Sequence, residues 1–279
     1  MTRHAIVIGA SVAGLLAART LADHVDHVTL LERDAFPPLG DGRRGVPQGR
    51  HVHALMARGR EVLEDLFPGL TSDLVALGAP LTDPRAHGRW FLNGGYYDRH
   101  HVGRGQQTVL VRRPVLEGMI RARVLGLPNV RALPCCDALG LVADDDRRRV
   151  IGVHVLHQDA GSAEEVLRGD VVVDATGRGS RTPAWLERLG YARPAEEQVR
   201  VGLTYTSRLY RRRPDDLGGD EFAMVFPDPA TRRAGLAAAQ DGEHWLVTLA
   251  GYLGEHAPTP TTPVTATTRA RCSRPTSTT

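Results

Sequence analysis

The sequence predicts an α/β protein built from a parallel β-α-β unit, a β-meander and part of a second sheet. Residues 5–8 and 28–31 are short apolar runs, separated by a glycine turn and a helical stretch that ends near residue 22. Residues 130–173 alternate apolar runs with turns, which is typical of a meander. Strand-like patterns follow in three further segments, residues 199–210, 222–226 and 245–249.

The first turn has the spacing of a phosphate-binding loop. Gly9 permits a tight turn and Gly14 lets the following helix pack closely on the strand, while Ser11 replaces the middle glycine of G-x-G-x-x-G. Ala13 is small enough to admit a pyrophosphate at the helix N-terminus. Glu32 ends the second strand, where a carboxylate accepts a hydrogen bond from a ribose hydroxyl and repels a 2′-phosphate. The pattern therefore predicts FAD or NAD rather than NADP. An ordinary strand-to-helix turn is the alternative, and the context on both sides disfavours it.

Three helices are predicted after this unit. Apolar residues recur at helical spacing over residues 51–67 until a Pro-Gly pair stops the pattern, and residues 113–125 form a second amphipathic stretch. A short helix is expected near residues 184–189. The proline- and glycine-rich residues 36–50 are expected to form a loop.

Composition narrows the function classes. The chain has 279 residues, an apolar fraction of 42% and a net charge of +3, which is too small to predict nucleic-acid binding. No run approaches about 18 apolar residues, so we expect no membrane span. With no signal peptide and three cysteines, of which Cys135 and Cys136 are adjacent, we expect a cytoplasmic protein with reduced, packed thiols.

Metal binding is not predicted. His51 and His53 diverge if they begin a helix, and no set of acids or cysteines completes a ligand group. Trp90, Tyr96 and Tyr97 either line a substrate cavity or pack in the core, and the sequence leaves both readings open. No general base or nucleophile stands out, so catalytic residues are not assigned.

Three further segments carry groups suited to a dinucleotide. Arg113 opens the helix at residues 113–125, and a planar guanidinium binds pyrophosphate oxygens in pairs. Arg33 and Arg44 lie in a basic stretch just after the second strand. Thr176 and Gly177 lie in a small-residue turn after an apolar strand.

In this order and spacing, residues 1–256 resemble the para-hydroxybenzoate-hydroxylase-like FAD-dependent oxidoreductases and monooxygenases, above all their polyprenyl-methoxyphenol-hydroxylase type. The resemblance implies FAD bound across a Rossmann-like, glutathione-reductase-like domain, with NAD(P)H as electron donor. It implies hydroxylation or epoxidation of a hydrophobic or aromatic small molecule through a flavin C4a-hydroperoxide. The predicted cofactor-binding residues are Gly9, Ser11, Ala13, Gly14, Glu32, Arg33, Arg44, Arg113, Thr176 and Gly177.

The resemblance also predicts a division of the chain. Residues 1–75 and 101–190 would form the FAD-binding domain, residues 76–100 a substrate-domain insertion, residues 191–256 a partial substrate-binding sheet, and residues 257–279 a disordered Thr/Pro-rich tail. The abrupt change in composition favours a truncation or reading-frame shift near residue 257 over the alternative of a natural flexible tail.

Two departures from the family keep alternatives open. Thr176 and Gly177 stand where many family hydroxylases have Asp-Gly, and the family's third motif, a Gly-Asp that holds the flavin ribityl chain, is not found after the substrate-domain strands. A truncated FAD-binding fragment without activity, and an FAD-dependent reductase of the same fold, are therefore the alternatives to a monooxygenase.

Overall fold

The computed structural model describes an α/β molecule over residues 2–99, 106–158 and 163–256. One sheet has four parallel strands, which in order across the sheet are β11 (Val171–Asp174), β1 (His4–Ile8), β2 (His27–Leu31) and β7 (Val130–Leu133). As predicted, β1 (His4–Ile8) and β2 (His27–Leu31) pair in parallel and are joined by α1 (Val12–Ala22). The outer strands β7 (Val130–Leu133) and β11 (Val171–Asp174) pair with β2 and β1.

The predicted meander is correct in its middle and wrong at both ends. β8 (Cys136–Ala143), β9 (Val150–His157) and β10 (Ala163–Arg168) form a three-stranded antiparallel sheet. The first and last strands of residues 130–173 belong instead to the parallel sheet. The physical reason is that α4 (Arg113–Leu125) returns the chain across that sheet, so β7 enters parallel to β2.

The helix expected at residues 51–67 begins later than its apolar pattern indicates. α2 spans Ala57–Leu66, and a separate helix α3 follows at Leu70–Ala76. Residues 51–56 are not helical, because Leu55 forms a β-bridge with Val109 and exchanges backbone hydrogen bonds with it. The later helices agree with prediction: α4 has the expected bounds, and α5 spans Thr182–Arg188.

The second large sheet has six strands, which in order across the sheet are β12 (Thr204–Arg211), β15 (His244–Gly251), β14 (Arg233–Gln240), β13 (Phe222–Val225), β4 (Gly88–Leu92) and β5 (Gly95–Tyr96). It combines two early strands with four late ones, and β4 pairs in parallel with β13. The sequence did not predict β14. The strand expected over residues 199–210 is β12, which begins only at Thr204, so residues 199–203 lie outside it.

A small ladder and a shared apolar cluster connect the two large sheets. β3 (Leu81–Thr82) pairs with β6 (Thr108–Val109). Leu110, directly after β6, is fully buried against Ala239 and Trp245 of the six-stranded sheet. The main core lies between the parallel sheet and helices α1 and α4. The expected tail at residues 257–279 lies outside the described residues.

Candidate functional site

The glycine turn is too tight for side chains at two positions. Gly9 has a φ of +97°, and a Cβ there would lie 3.0 Å from the carbonyl oxygen of Ala175. A Cβ on Gly14 would lie 1.7 Å from the carbonyl oxygen of Gly9, which no side chain can accommodate. These glycines therefore let α1 start directly against the ends of β1 and β11.

The N-terminus of α1 carries no side-chain cap. Ser11 occupies the N-cap position, but its side chain does not cap the helix and instead donates to Glu117 Oε2 at 2.8 Å. No acid lies in the first turn of α1, and Ala13 there is exposed. The first backbone N–H groups of a helix lack partners within the helix and carry positive potential, so this end can receive an anion.

Glu32 is buried at the end of β2 and is held by backbone and side-chain donors. Its Oε2 accepts the Ala10 N–H at 2.9 Å and contacts Arg43 at 2.5 Å, and its Oε1 accepts the Asp34 N–H at 3.0 Å. The Glu32 side chain is 6% exposed. The predicted ribose acceptor thus lies beside the glycine turn, and its Oε1 accepts one hydrogen bond within the described residues.

Arg43 joins Glu32 to a second buried carboxylate on α4. Its Nε donates to Glu117 Oε1 at 3.0 Å, and its side chain is 6% exposed. Arg113 donates from Nε to Glu117 at 3.3 Å and from a terminal nitrogen to Ser11 Oγ at 3.0 Å. Burial disfavours the Arg43 charge, but the Glu32 and Glu117 carboxylates outweigh it and raise the pKa of Arg43.

We call these five side chains, Ser11, Glu32, Arg43, Arg113 and Glu117, the charge network. Glu117 follows Arg113 by four residues, so both lie on one face of α4. Sequence reasoning missed Arg43 and Glu117. An acid inside an otherwise apolar helical face was the signal that could have found Glu117.

Two predicted arginines lie outside this network. Arg33 is exposed and its nearest carboxylate is Asp34, at 3.9 Å. Arg44 is exposed, whereas its neighbour Arg43 is the buried arginine of the loop. Their contact with a cofactor stays a prediction.

The turn after β11 lies next to the glycine turn. Ala175 N–H donates to the Ile8 carbonyl at 2.8 Å, which places Thr176 and Gly177 beside the start of α1. Asp174 organises this turn by accepting hydrogen bonds from Thr176, Ser180 and Thr182. Burial acts to raise the pKa of Asp174, but hydrogen bonds from Ser180, Thr176 and Thr182 lower it overall.

A separate cavity of about 400 Å³ lies between the six-stranded sheet and the segment at residues 52–56. Aromatic and aliphatic groups from β4, β13 and β14 line it, including Trp90, Phe222 and Leu236. Of the three aromatic residues that could line a cavity or pack in the core, Trp90 lines this cavity. Tyr96 and Tyr97 are 57% and 58% exposed, and Tyr96 packs edge-on against Phe91.

A partly buried ion pair connects the six-stranded sheet to the start of α4. Asp241, in the turn between β14 and β15, accepts the Arg112 N–H at 2.8 Å. The Arg112 guanidinium donates twice to the other carboxylate oxygen, at 2.8 and 2.6 Å. Arg112 is the neighbour of Arg113, so this contact holds the sheet close to the charge network.

Other candidate groups have structural partners. Gly219 and Asp220 form a Gly-Asp pair that precedes β13, and the Asp220 carboxylate is buried between Arg89 and Arg99. Within the described residues, no group of three or more His, Cys, Asp or Glu side chains could hold a metal ion. No helix in the same part of the chain is long and apolar enough to cross a membrane.

Comparison with known proteins identifies the fold. No family model matches the sequence. The chain is 40% identical over 266 residues to Protein Rv3254 of Mycobacterium tuberculosis, covering 92% of this chain and 55% of that protein. PqsL of Pseudomonas aeruginosa, a probable FAD-dependent monooxygenase, superposes with a TM-score of 0.67 at 16% identity, covering 90% of this chain and 61% of that one. The chain has the fold of the FAD-dependent monooxygenases.

A second solved structure agrees with this assignment. The p-nitrophenol 4-monooxygenase PnpA of Pseudomonas putida superposes with a TM-score of 0.61 at 17% identity, covering 92% of this chain and 59% of that one. In each comparison the chain spans about half to three fifths of the longer protein. The monooxygenase fold therefore accounts for the β-α-β unit, the meander and the six-stranded sheet together.

Proposed function

We propose that this chain binds FAD at the glycine turn and performs flavin-dependent oxidation of a small aromatic molecule. The observation that carries the proposal is the uncapped, acid-free N-terminus of α1. It lies beside a buried carboxylate at the end of β2, which is the arrangement that a dinucleotide requires. The residues present fit the cofactor, because Gly9 and Gly14 let α1 start directly against the strand ends, so that its uncapped first turn can face a pyrophosphate.

Each part of the site has a distinct task in this proposal. The first turn of α1 and Arg113 would hold the pyrophosphate, since both offer N–H donors to an anion. Glu32 Oε1 receives one recorded hydrogen bond, and a carboxylate oxygen accepts two, so it can take a ribose hydroxyl. Arg33, Arg44, Thr176 and Gly177 stay candidate contacts to the cofactor.

The cavity would receive the substrate. Its lining from β4, β13 and β14 is apolar, which suits an aromatic ring. Bound FAD would supply the redox chemistry, and the protein would supply binding, orientation and exclusion of solvent. NAD(P)H is the proposed electron donor, and a monooxygenase rather than a reductase is favoured by the function stated for PqsL and PnpA.

FAD binding can be tested without any substrate. The purified chain is mixed with FAD and desalted, and the visible flavin absorption that remains with the protein is measured. Retained flavin is expected; soluble, folded protein that retains none contradicts the proposal.

A matched pair of variants locates the flavin. Ala13→Asp places a negative charge in the exposed first turn of α1, where it favours the helix but repels a pyrophosphate. Ser72→Asp makes the same charge change in the exposed first turn of α3. We expect at least a tenfold loss of FAD affinity for Ala13→Asp and less than a twofold change for Ser72→Asp. Equal affinity in both variants would place the cofactor elsewhere.

A further inference from the structure

The cavity contains one imidazole whose hydrogen-bonding state can be assigned. His53 lines the cavity beside Met56 and Trp90. Its Nδ1 lies 2.9 Å from the carbonyl oxygen of His51. A carbonyl only accepts hydrogen bonds, so Nδ1 carries the proton and donates it.

The other ring nitrogen is then an acceptor. In a neutral imidazole one nitrogen carries a proton and the other does not, so Nε2 of His53 has a free lone pair. Within the described residues, this nitrogen makes no hydrogen bond. The Nδ1 contact is to the backbone, so the tautomer does not depend on another mobile side chain.

The surroundings keep His53 neutral near pH 7. Burial lowers its pKa, the charges of Arg113 and His51 act in the same direction, and the hydrogen bond to His51 opposes them. Asp83 and Arg85 are the other charged groups that line the cavity. The resulting group is a fixed acceptor in a largely apolar cavity.

We propose that His53 orients the aromatic molecule in this cavity by accepting, at Nε2, a hydrogen bond from a hydroxyl group of that molecule. The proposal rests on the proposed function, because it assigns an orientation to the substrate of that site. A hydrogen bond from the hydroxyl to Nε2 fixes the position of that hydroxyl oxygen in the cavity. It also sets which ring edge lies against the apolar lining of Trp90 and Phe222.

The size of the cavity limits the molecule. An apolar cavity of about 150 Å³ holds one benzene ring. A cavity of about 400 Å³ therefore accommodates two to three fused or linked rings. A phenol with a bicyclic skeleton matches both the volume and the acceptor at His53 Nε2.

The test compares two ligands that differ in one hydrogen-bond donor. The probes are 2-naphthol, which donates from its hydroxyl, and 2-methoxynaphthalene, which has the same rings and cannot donate. Their affinities are measured by calorimetry at pH 7.5 on the full chain, with and without FAD. One net hydrogen bond predicts about a 3- to 10-fold preference for 2-naphthol.

Two variants assign the preference to the imidazole. His53→Phe keeps a ring but removes the acceptor, and should bind both probes with equal affinity. Met56→Leu changes another lining side chain and should keep the preference. If His53→Phe does not fold, His53→Gln provides the second test, since its amide oxygen restores an acceptor and part of the preference.

A spectroscopic measurement separates this role from packing. The ¹⁵N signal of His53 Nε2, assigned by its loss in His53→Gln, should move on adding 2-naphthol and stay in place with 2-methoxynaphthalene. A preference that survives in His53→Phe, or equal binding of the probes by the unmodified chain, overturns the inference. Retention of FAD in the same samples shows that the proposed function stands when the inference about His53 fails.

Discussion

Removing the carboxylate of Glu117 should destabilise the protein strongly. Its side chain is 5% exposed and receives hydrogen bonds from Arg43, Ser11 and Arg113. Glu117→Ala would leave the buried Arg43 with Glu32 as its main partner. Breaking a buried ion pair by removing one partner costs about 3–5 kcal/mol, because the remaining charge stays desolvated.

The assay is thermal unfolding followed by circular dichroism. For a chain of this size, 1 kcal/mol corresponds to roughly 2–4 °C in Tm, so Glu117→Ala should lower Tm by about 6–20 °C. The control is Glu61→Ala, which removes a pair with Arg58 whose side chains are 43% and 80% exposed. That loss should stay below about 1 kcal/mol. If the two variants unfold within 2 °C of each other, the charge network does not stabilise the fold as argued.

Three other results are expected. Gly14→Ala should abolish soluble expression, because its Cβ would lie 1.7 Å from Gly9, whereas Gly42→Ala, with no atom within 4 Å, should express normally; equal yields would contradict the tight turn. A double-mutant cycle with Arg112→Ala and Asp241→Ala in urea unfolding should give a coupling of about 2 kcal/mol, and additive losses would show that this ion pair does not couple the sheet to α4. The depressed pKa of Asp174 means that its contribution to stability is present above about pH 4 and is lost as pH falls through the folded-state value, so Asp174→Asn should lower Tm at pH 7 and lose that difference in strong acid, unlike the exposed Asp145→Asn.

The sequence predicted the parts of the fold that depend on local pattern. The β-α-β unit and α4 follow from apolar spacing and from the glycine turn, and both match the structure. The error at residues 51–56 has a different origin. Leu55 has helical spacing with later residues, but its bridge to Val109 is a long-range pairing that a local window does not contain.

The residues of the candidate site also fall into two groups, those that local spacing predicts and those that long-range contacts bring together. Gly9, Gly14 and Glu32 could be recognised because their spacing along the chain reflects the geometry of one turn. Arg43 and Glu117 could not be paired from sequence, because their contact joins a loop to a distant helix. The position of His53 in the cavity lining could not be predicted either, because the segment at residues 51–56 is not helical and the cavity depends on strands distant in the sequence.

The parallel pairing of β4 with β13 has a consequence for how the protein is made. Gly88 lies opposite Phe222, so β4 leaves the ribosome long before its partner exists. Until then, Trp90 and Phe91 present an apolar strand edge with no strand on the β13 side, which is the kind of surface that aggregates or recruits chaperones. The cavity that Trp90 shares with Phe222 can form only after β13 has been synthesised, so binding competence is acquired late in translation.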